Sequence, residues 1–207
     1  MDSKQQIISK AADLFMRYGI KSVTMDDIAR ELGISKKTLY EHVSNKSDLI
    51  EQIFEQKISE EKEMMARFRE TSEDAIDEIL NITKFVLKTL RHLSPTTVYD
   101  LQKYYRSTWK MMESLHCNHY YDLIRDNLER GIAQGVYRSD LNPDIIAKLY
   151  VGSSDFVTND QWFPVREYRM DDLFIQHMNY HLHGIASAKG LVLLERHMPT
   201  IGTRSEE

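Results

Sequence analysis

The sequence predicts an all-α protein on three observations. Glycine and proline are scarce, 8 and 4 in 207 residues, whereas a sandwich or barrel needs many tight turns. Apolar residues recur with a helical period along most of the chain. Ser, Thr, Asn or Asp stand where several of these stripes begin, and glycine stands where several end. No stretch reads as a strand and no internal repeat is present. The expected architecture has about nine helices: a three-helix head over residues 1–45, then a larger helical bundle over 46–207.

The first helix is carried by Ile7, Ile8, Ala11, Ala12, Leu14 and Phe15 and ends at Gly19. Thr24 is expected to cap a second, with Asp26 and Asp27 in the first turn suiting the helix dipole. Ile28, Ala29 and Leu32 form its inner face, and Gly33 stops it. Ser35 can cap a third helix, Lys36 to His42. Two short helices joined by Gly33-Ile34-Ser35 make a helix-turn-helix pattern, and the small side chain of Ala29 lets them approach closely. Asn45-Lys46-Ser47-Asp48 opens a long helix with Leu49, Ile50, Ile53, Phe54, Ile58, Met64, Met65 and Phe68 inward. Ser72-Glu73-Asp74 opens the next, with Ile76, Ile79, Leu80, Val86, Leu87 and Leu90 inward, closed by Ser94-Pro95. Residues 96–115 read as one or two helices and 118–134 as one that ends at Gly135. Asn142-Pro143 begins another, to about Asp160, and Asp171 to about Leu194 forms the last. The tail from Pro199 is polar.

A net charge of −5 gives no global basic field, so any nucleic-acid contact must come from a local patch. The single cysteine, Cys117, excludes internal disulfides. The first residues are polar, and no apolar run approaches the ~20 residues that span a bilayer. The expectation is a cytoplasmic, soluble protein with no membrane contact. A nucleophile elbow, a phosphate-cradling glycine loop and a zinc-protease helix are all lacking, so no catalytic residues and no cofactor are expected. His116-Cys117-x-His119 and His177-x-x-x-His181, with His183, lack an acidic third ligand nearby, and no metal is expected either.

The run Val23-Thr24-Met25-Asp26-Asp27-Ile28-Ala29, through Gly33-Ile34-Ser35-Lys36-Lys37-Thr38-Leu39-Tyr40-Glu41-His42-Val43 to Asn45-Lys46, closely resembles the DNA-binding head of TetR-family transcriptional regulators. The preceding Ala11-Ala12-x-Leu14-Phe15 matches as well. A second stretch, Gly131-Ile132-Ala133-Gln134-Gly135-Val136-Tyr137-Arg138-Ser139-Asp140-Leu141, resembles that family's junction before its dimerisation helices. Lys37, where members often carry a small residue or proline, and Val43, often phenylalanine, depart from the pattern. The resemblance implies residues 1–45 as a DNA-binding domain and 46–207 as an effector-binding and dimerisation domain. It also implies a double-stranded operator and a small effector as partners.

Residues alone support the head's chemistry. A recognition helix needs short polar or cationic side chains on its outer N-terminal face to reach base edges, and Lys36, Lys37 and Thr38 stand there. Residues 33–47 carry Lys36, Lys37 and Lys46 against only Glu41. The expected DNA-binding set is Thr24, Ser35, Lys36, Lys37, Thr38, Tyr40, His42 and Lys46, with Thr24, Tyr40 and Lys46 on phosphates. One such head makes few base contacts, so a homodimer on a palindrome is expected. Its interface is expected at Ile146, Leu149, Tyr150, Ser153, Phe174, His177, Met178 and His181. The aromatic and methionine residues dense between Tyr99 and Tyr121 can line a cavity for a flat or greasy ligand or equally fill a helical core. The resemblance implies a pocket for a lipophilic or aromatic effector, expected at Phe85, Tyr104, Tyr105, Trp109, Met112 and Tyr121. The function expected is a ligand-responsive transcriptional regulator, more often a repressor. The alternative is a helical small-molecule-binding or catalytic protein with a vestigial head.

Overall fold

The structure is a computed structural model that describes residues 3–92, 95–157, 161–164 and 166–197. The described chain is helical throughout: α1 (Ser3–Tyr18), α2 (Met25–Leu32), α3 (Lys36–His42), α4 (Lys46–Thr71), α5 (Ala75–His92), α6 (Pro95–Tyr104), α7 (Arg106–Leu115), α8 (Tyr121–Ala133), α9 (Pro143–Val157), α10 (Met170–Ile185) and α11 (Ala188–His197). A π-helical turn, His116–Tyr120, precedes α8. Among the described residues there are thus eleven α-helices, not nine. The last long helix of the sequence reading is two, because Ala186 adopts an extended backbone (φ −65°, ψ 141°) and Ser187 caps α11 through its Oγ on the Gly190 N–H, 3.1 Å. Residues 158–160, the tail from Pro199, and Ser94 lie outside the described residues, as do the side chains of His116 and Cys117.

Packing divides the chain into two units, residues 1–63 with 92–115 and residues 64–91 with 116–207. In the first, Ile7, Ile8, Ala11 and Phe15 of α1 meet Ile28 and Ala29 of α2, Leu39 of α3 and Leu49, Ile50 and Ile53 of α4. Leu101 of α6 is fully buried in this same core. Gly19 ends α1 at φ +82° and Gly33 ends α2 at φ +67°, the left-handed conformation that a Cβ disfavours. The Asn45 side chain caps α4 by accepting from Asp48 N–H at 3.0 Å, and Asp48 accepts from Ser44 N–H at 2.6 Å.

The second unit closes on Ile76, Ile79 and Leu80 of α5, Ile124 and Leu128 of α8, Ala147 and Tyr150 of α9, and Met178, Leu182 and Ile185 of α10. Within it sits a polar knot. Glu78, 3% exposed at its side chain, accepts from Arg69 (3.0 Å), Arg130 (2.9 Å) and Asn127 (3.0 Å) through one carboxylate oxygen. The Tyr137 hydroxyl lies 2.9 Å from Asn127 Oδ1 and 3.1 Å from the Ala75 carbonyl. Burial, first of all, pushes the Tyr137 pKa well above its ordinary value, so the phenol stays a donor.

The glycines of the Gly131-to-Leu141 stretch have separate reasons. Gly135 turns the chain at φ +70°. At Gly131 a Cβ would lie 2.0 Å from the Tyr137 ring, so only glycine lets that ring lie on α8. Gly131→Ala is therefore expected to destabilise the protein by about 1–3 kcal/mol or more through overpacking. In a Tyr137→Ala background most of that cost disappears. Thermal melting of the four members of this cycle checks the non-additivity.

Candidate nucleic-acid interface

The site begins with the stabilisation of two short helices. Thr24 Oγ1 accepts from Asp27 N–H at 3.2 Å while the Asp27 carboxylate accepts from Thr24 N–H at 2.9 Å, a reciprocal capping box. These bonds hold the Asp27 carboxyl below its ordinary pKa, with the Thr24 hydroxyl contributing most. Ser35 caps α3 by accepting from Thr38 N–H at 3.0 Å, and the Thr38 hydroxyl lies 2.9 Å from Ser35 Oγ. Leu39 is fully buried, so the outward face of α3 is fixed by its one inward anchor.

On that outward face Lys36, Lys37 and Tyr40 are exposed, Tyr40 by 47%. Lys37 has no hydrogen bond or ion pair among the described residues. Lys36 pairs with Asp26 at 2.6 Å, and this bond raises its pKa above the ordinary lysine value. Thr38 and His42 are partly buried and, with Ser3, Gln6, Ile7, Leu32 and Ile34, line a cavity of about 70 Å³ beside the start of α1. Lys46 is placed differently from a free phosphate clamp: its ammonium donates to the Val23 carbonyl and lies 5.6 Å from the Phe15 ring centroid. Burial lowers its pKa.

Sequence reasoning missed Asp26 as the partner of Lys36 and the Val23 carbonyl as that of Lys46, neither of which has a local signature. It also missed the closing half of the capping box. The spacing Thr24-x-x-Asp27 was a signal for that.

The residues expected to line an effector pocket fall into both units. Tyr105, Trp109 and Met112 pack against the core of the first, where Tyr104 is 45% exposed; Phe85 and Tyr121 pack against the core of the second. Tyr121 donates its hydroxyl to Asp144 at 2.6 Å, and Trp109 its indole N–H to Glu113 at 2.7 Å.

Of the residues expected at a dimer interface, Tyr150 and Met178 are buried within the chain, and Ile146 and Phe174 are partly buried against the same core. Leu149 is 63% exposed, on the α9 face that also presents Ile145 and Phe156. Ser153 Oγ is 3.5 Å from His177 Nε2, and the Tyr150 ring lies tilted against that of His181, centroids 4.9 Å apart. His183 turns its Nδ1 to the Asn179 carbonyl, 2.8 Å, away from a shared ligand with His181. Among the described residues no three His, Cys, Asp or Glu side chains could hold a metal ion together.

An exposed second helix of a helix-turn-helix, capped at both starts and anchored by Leu39, is the arrangement with which a DNA-binding head presents side chains to a groove. Residues 7–53 match the family described as "Bacterial regulatory proteins, tetR family". The chain is 24% identical over 196 residues to the HTH-type transcriptional repressor KstR2 of Rhodococcus jostii, covering 89% of this chain and 91% of that one. Its fold is similar to a transcriptional regulator from Cytophaga hutchinsonii (TM-score 0.75, 19% identity, 88% of this chain and 98% of that one). It is also similar to one from Saccharomonospora viridis solved in complex with choline (TM-score 0.62, 20% identity, 90% and 98%). Over residues 7–53 the head is that of the TetR family of transcriptional regulators. No helix among the described residues is long and apolar enough to cross a membrane.

The His177–His181 pair makes this unit acid-sensitive. Burial, reinforced by His177, lowers the His181 pKa to about 4, and burial lowers that of His177 too. An unfolded histidine titrates near 6.5. Between roughly pH 6.5 and pH 4 the unfolded chain therefore takes up a proton that folded His181 refuses, and stability falls as pH falls. His181 alone is expected to remove about 3 kcal/mol over that window. Urea unfolding at pH 7 and pH 4.5 should show a smaller loss for His181→Leu than for the unsubstituted protein.

Proposed function

We propose that the chain is a homodimeric repressor that binds a palindromic operator and is released by a small lipophilic or aromatic effector. The observation that carries the DNA reading is the outward face of α3, where Lys37 stands exposed and unpaired beside Lys36 and Tyr40. In this reading Lys36, Lys37, Thr38 and His42 approach base edges, with Ser35 at the start of the helix. Thr24 and Tyr40 face phosphates. Lys46 acts from the start of α4, where its ammonium already ties Val23 to the head.

Dimerisation is supported by the exposed apolar face Ile145, Leu149 and Phe156 on α9, with Tyr180 84% exposed on α10. Two heads about one helical turn, ~34 Å, apart would double the base contacts. The choline-bound relative supports a small effector. α4 contributes residues to both packing units, so a ligand that favours one placement of this helix would shift head spacing. Such a ligand acts only by its preference for the non-binding conformation.

The test is a gel-shift with fragments from around the protein's own gene, alongside sedimentation of the free protein. A specific shift that Lys36→Ala with Lys37→Ala abolishes, from a protein that sediments as a dimer, supports the reading. Absence of any shift, or a monomer that binds as tightly, overturns it. Lipophilic compounds that release the shift support the effector, and a broad set that neither releases it nor raises Tm removes that part.

The Lys36–Asp26 pair gives a prediction of opposite sign. Asp26→Asn frees the ammonium, which on random-sequence duplex DNA meets the phosphate backbone in place of a matched base edge, so binding there should tighten at low salt. The slope of log K against log salt should steepen by about 0.9. Fluorescence anisotropy across a salt series checks it.

A further inference from the structure

We propose that Lys21, Lys103, Tyr99 and Tyr104 form a second phosphate-binding surface, which extends the DNA backbone contact from the head onto α6. This rests on the DNA-binding reading above and enlarges it, because α6 lies outside the helix-turn-helix. Lys21 Nζ donates to the Tyr104 hydroxyl oxygen at 3.2 Å and lies 4.7 Å from its ring centroid. Lys103 Nζ donates to the Tyr99 hydroxyl oxygen at 2.6 Å, 5.1 Å from that ring and 5.4 Å from the ring of Tyr104. All four side chains are exposed.

The hydrogen bonds of this cluster run one way, from ammonium to phenol oxygen. An ammonium has three donors and each uses one here, while a phenol that accepts keeps its own O–H to give. Among the described residues neither phenolic hydrogen has an acceptor. The cluster therefore offers two ammoniums and two hydroxyls, all donors. The neighbouring lysines also hold the Tyr104 pKa below its ordinary value, with Lys21 the larger cause, which marks a positive local field. Asp100 is the carboxylate against the cluster. It is buried, 3% exposed, and its Oδ2 is turned inward onto the Lys21 backbone N–H at 2.8 Å.

Two features favour a DNA backbone over a small free anion. The cluster is an exposed row from Lys103 through Tyr104 to Lys21, longer than a single small ion would span. Lys21 also stands three residues before Thr24, at the helix start where phosphate is expected. By contrast, Lys10, Arg30 and Lys36 of the head are each paired with a carboxylate, on Glu31, Asp27 and Asp26. The lysines of the row meet only phenols.

The experiment measures full-length protein on a long random-sequence duplex by fluorescence anisotropy across a salt series. Binding by the unsubstituted protein comes first, since its absence defeats the DNA reading itself rather than this extension. Given that binding, Lys21→Ala with Lys103→Ala should flatten the slope of log K against log salt by about 1.8. Tyr99→Phe with Tyr104→Phe should weaken binding at every salt concentration. Lys84→Ala, an exposed lysine of the second unit, should leave the slope unchanged. If melting shows the double alanine variant destabilised, Lys21→Arg with Lys103→Arg must keep the original slope. A double alanine variant with the slope of the unsubstituted protein overturns the proposal. So does inorganic phosphate, at constant ionic strength, that raises Tm only when both lysines are present while the DNA slope is indifferent to them.

Discussion

A seven-residue helix cannot hold itself together in water, because nucleation is unfavourable and so short a helix has few internal hydrogen bonds to offset it. Everything that presents α3 to a partner must therefore come from outside it. The Ser35 side chain satisfies its first turn, Gly33 sets its approach from α2, and Leu39 fixes its rotation by full burial. The turn before α2 is held in turn by the Lys46 ammonium on the Val23 carbonyl and by the Thr24–Asp27 box. Of the outward side chains, Lys36 is tied to Asp26 of α2, while Lys37 is left without a structural duty among the described residues.

How much of this was legible in the sequence follows from the range of each interaction. The caps at Thr24, Ser35 and Asn45 and the left-handed glycines at Gly19 and Gly33 act over four residues or fewer, and each was readable from its neighbours. The break at Ala186 was not. It follows from a long-range strap in which Arg138 N–H donates to the Ile185 carbonyl and Ser187 N–H to the Val136 carbonyl. Periodicity alone runs through that break, since α10 and α11 both bury apolar residues. Leu101 was equally opaque: one buried leucine ties α6 to the α1–α4 core, and no local pattern around it names its partner.

The second unit shows the same division. Gly131 and Gly135 read as a helix ending, which Gly135 is. The role of Gly131 depends on Tyr137 lying across α8, a contact visible only in three dimensions. Glu78 is the clearest omission. A lone glutamate in an apolar stripe reads as an exposed position, yet it gathers Arg69, Arg130 and Asn127. A carboxylate so buried is tolerable only with such partners, and loss of both arginines would leave its charge without compensation.

The candidate interface is also shaped by what restrains it. The chain is acidic overall, and three cations of its head are matched by carboxylates, Lys10 by Glu31, Arg30 by Asp27 and Lys36 by Asp26. A phosphate approaching Lys36 has to displace a pairing that already exists, so its net gain is smaller than for a bare lysine. For a regulator that must find one site among a large excess of others, this is useful, since undirected attraction to the backbone strengthens binding everywhere and distinguishes nothing. In the proposed reading, discrimination rests on groups that reach base edges, while Lys36 contributes fully only where the rest of the interface is in register.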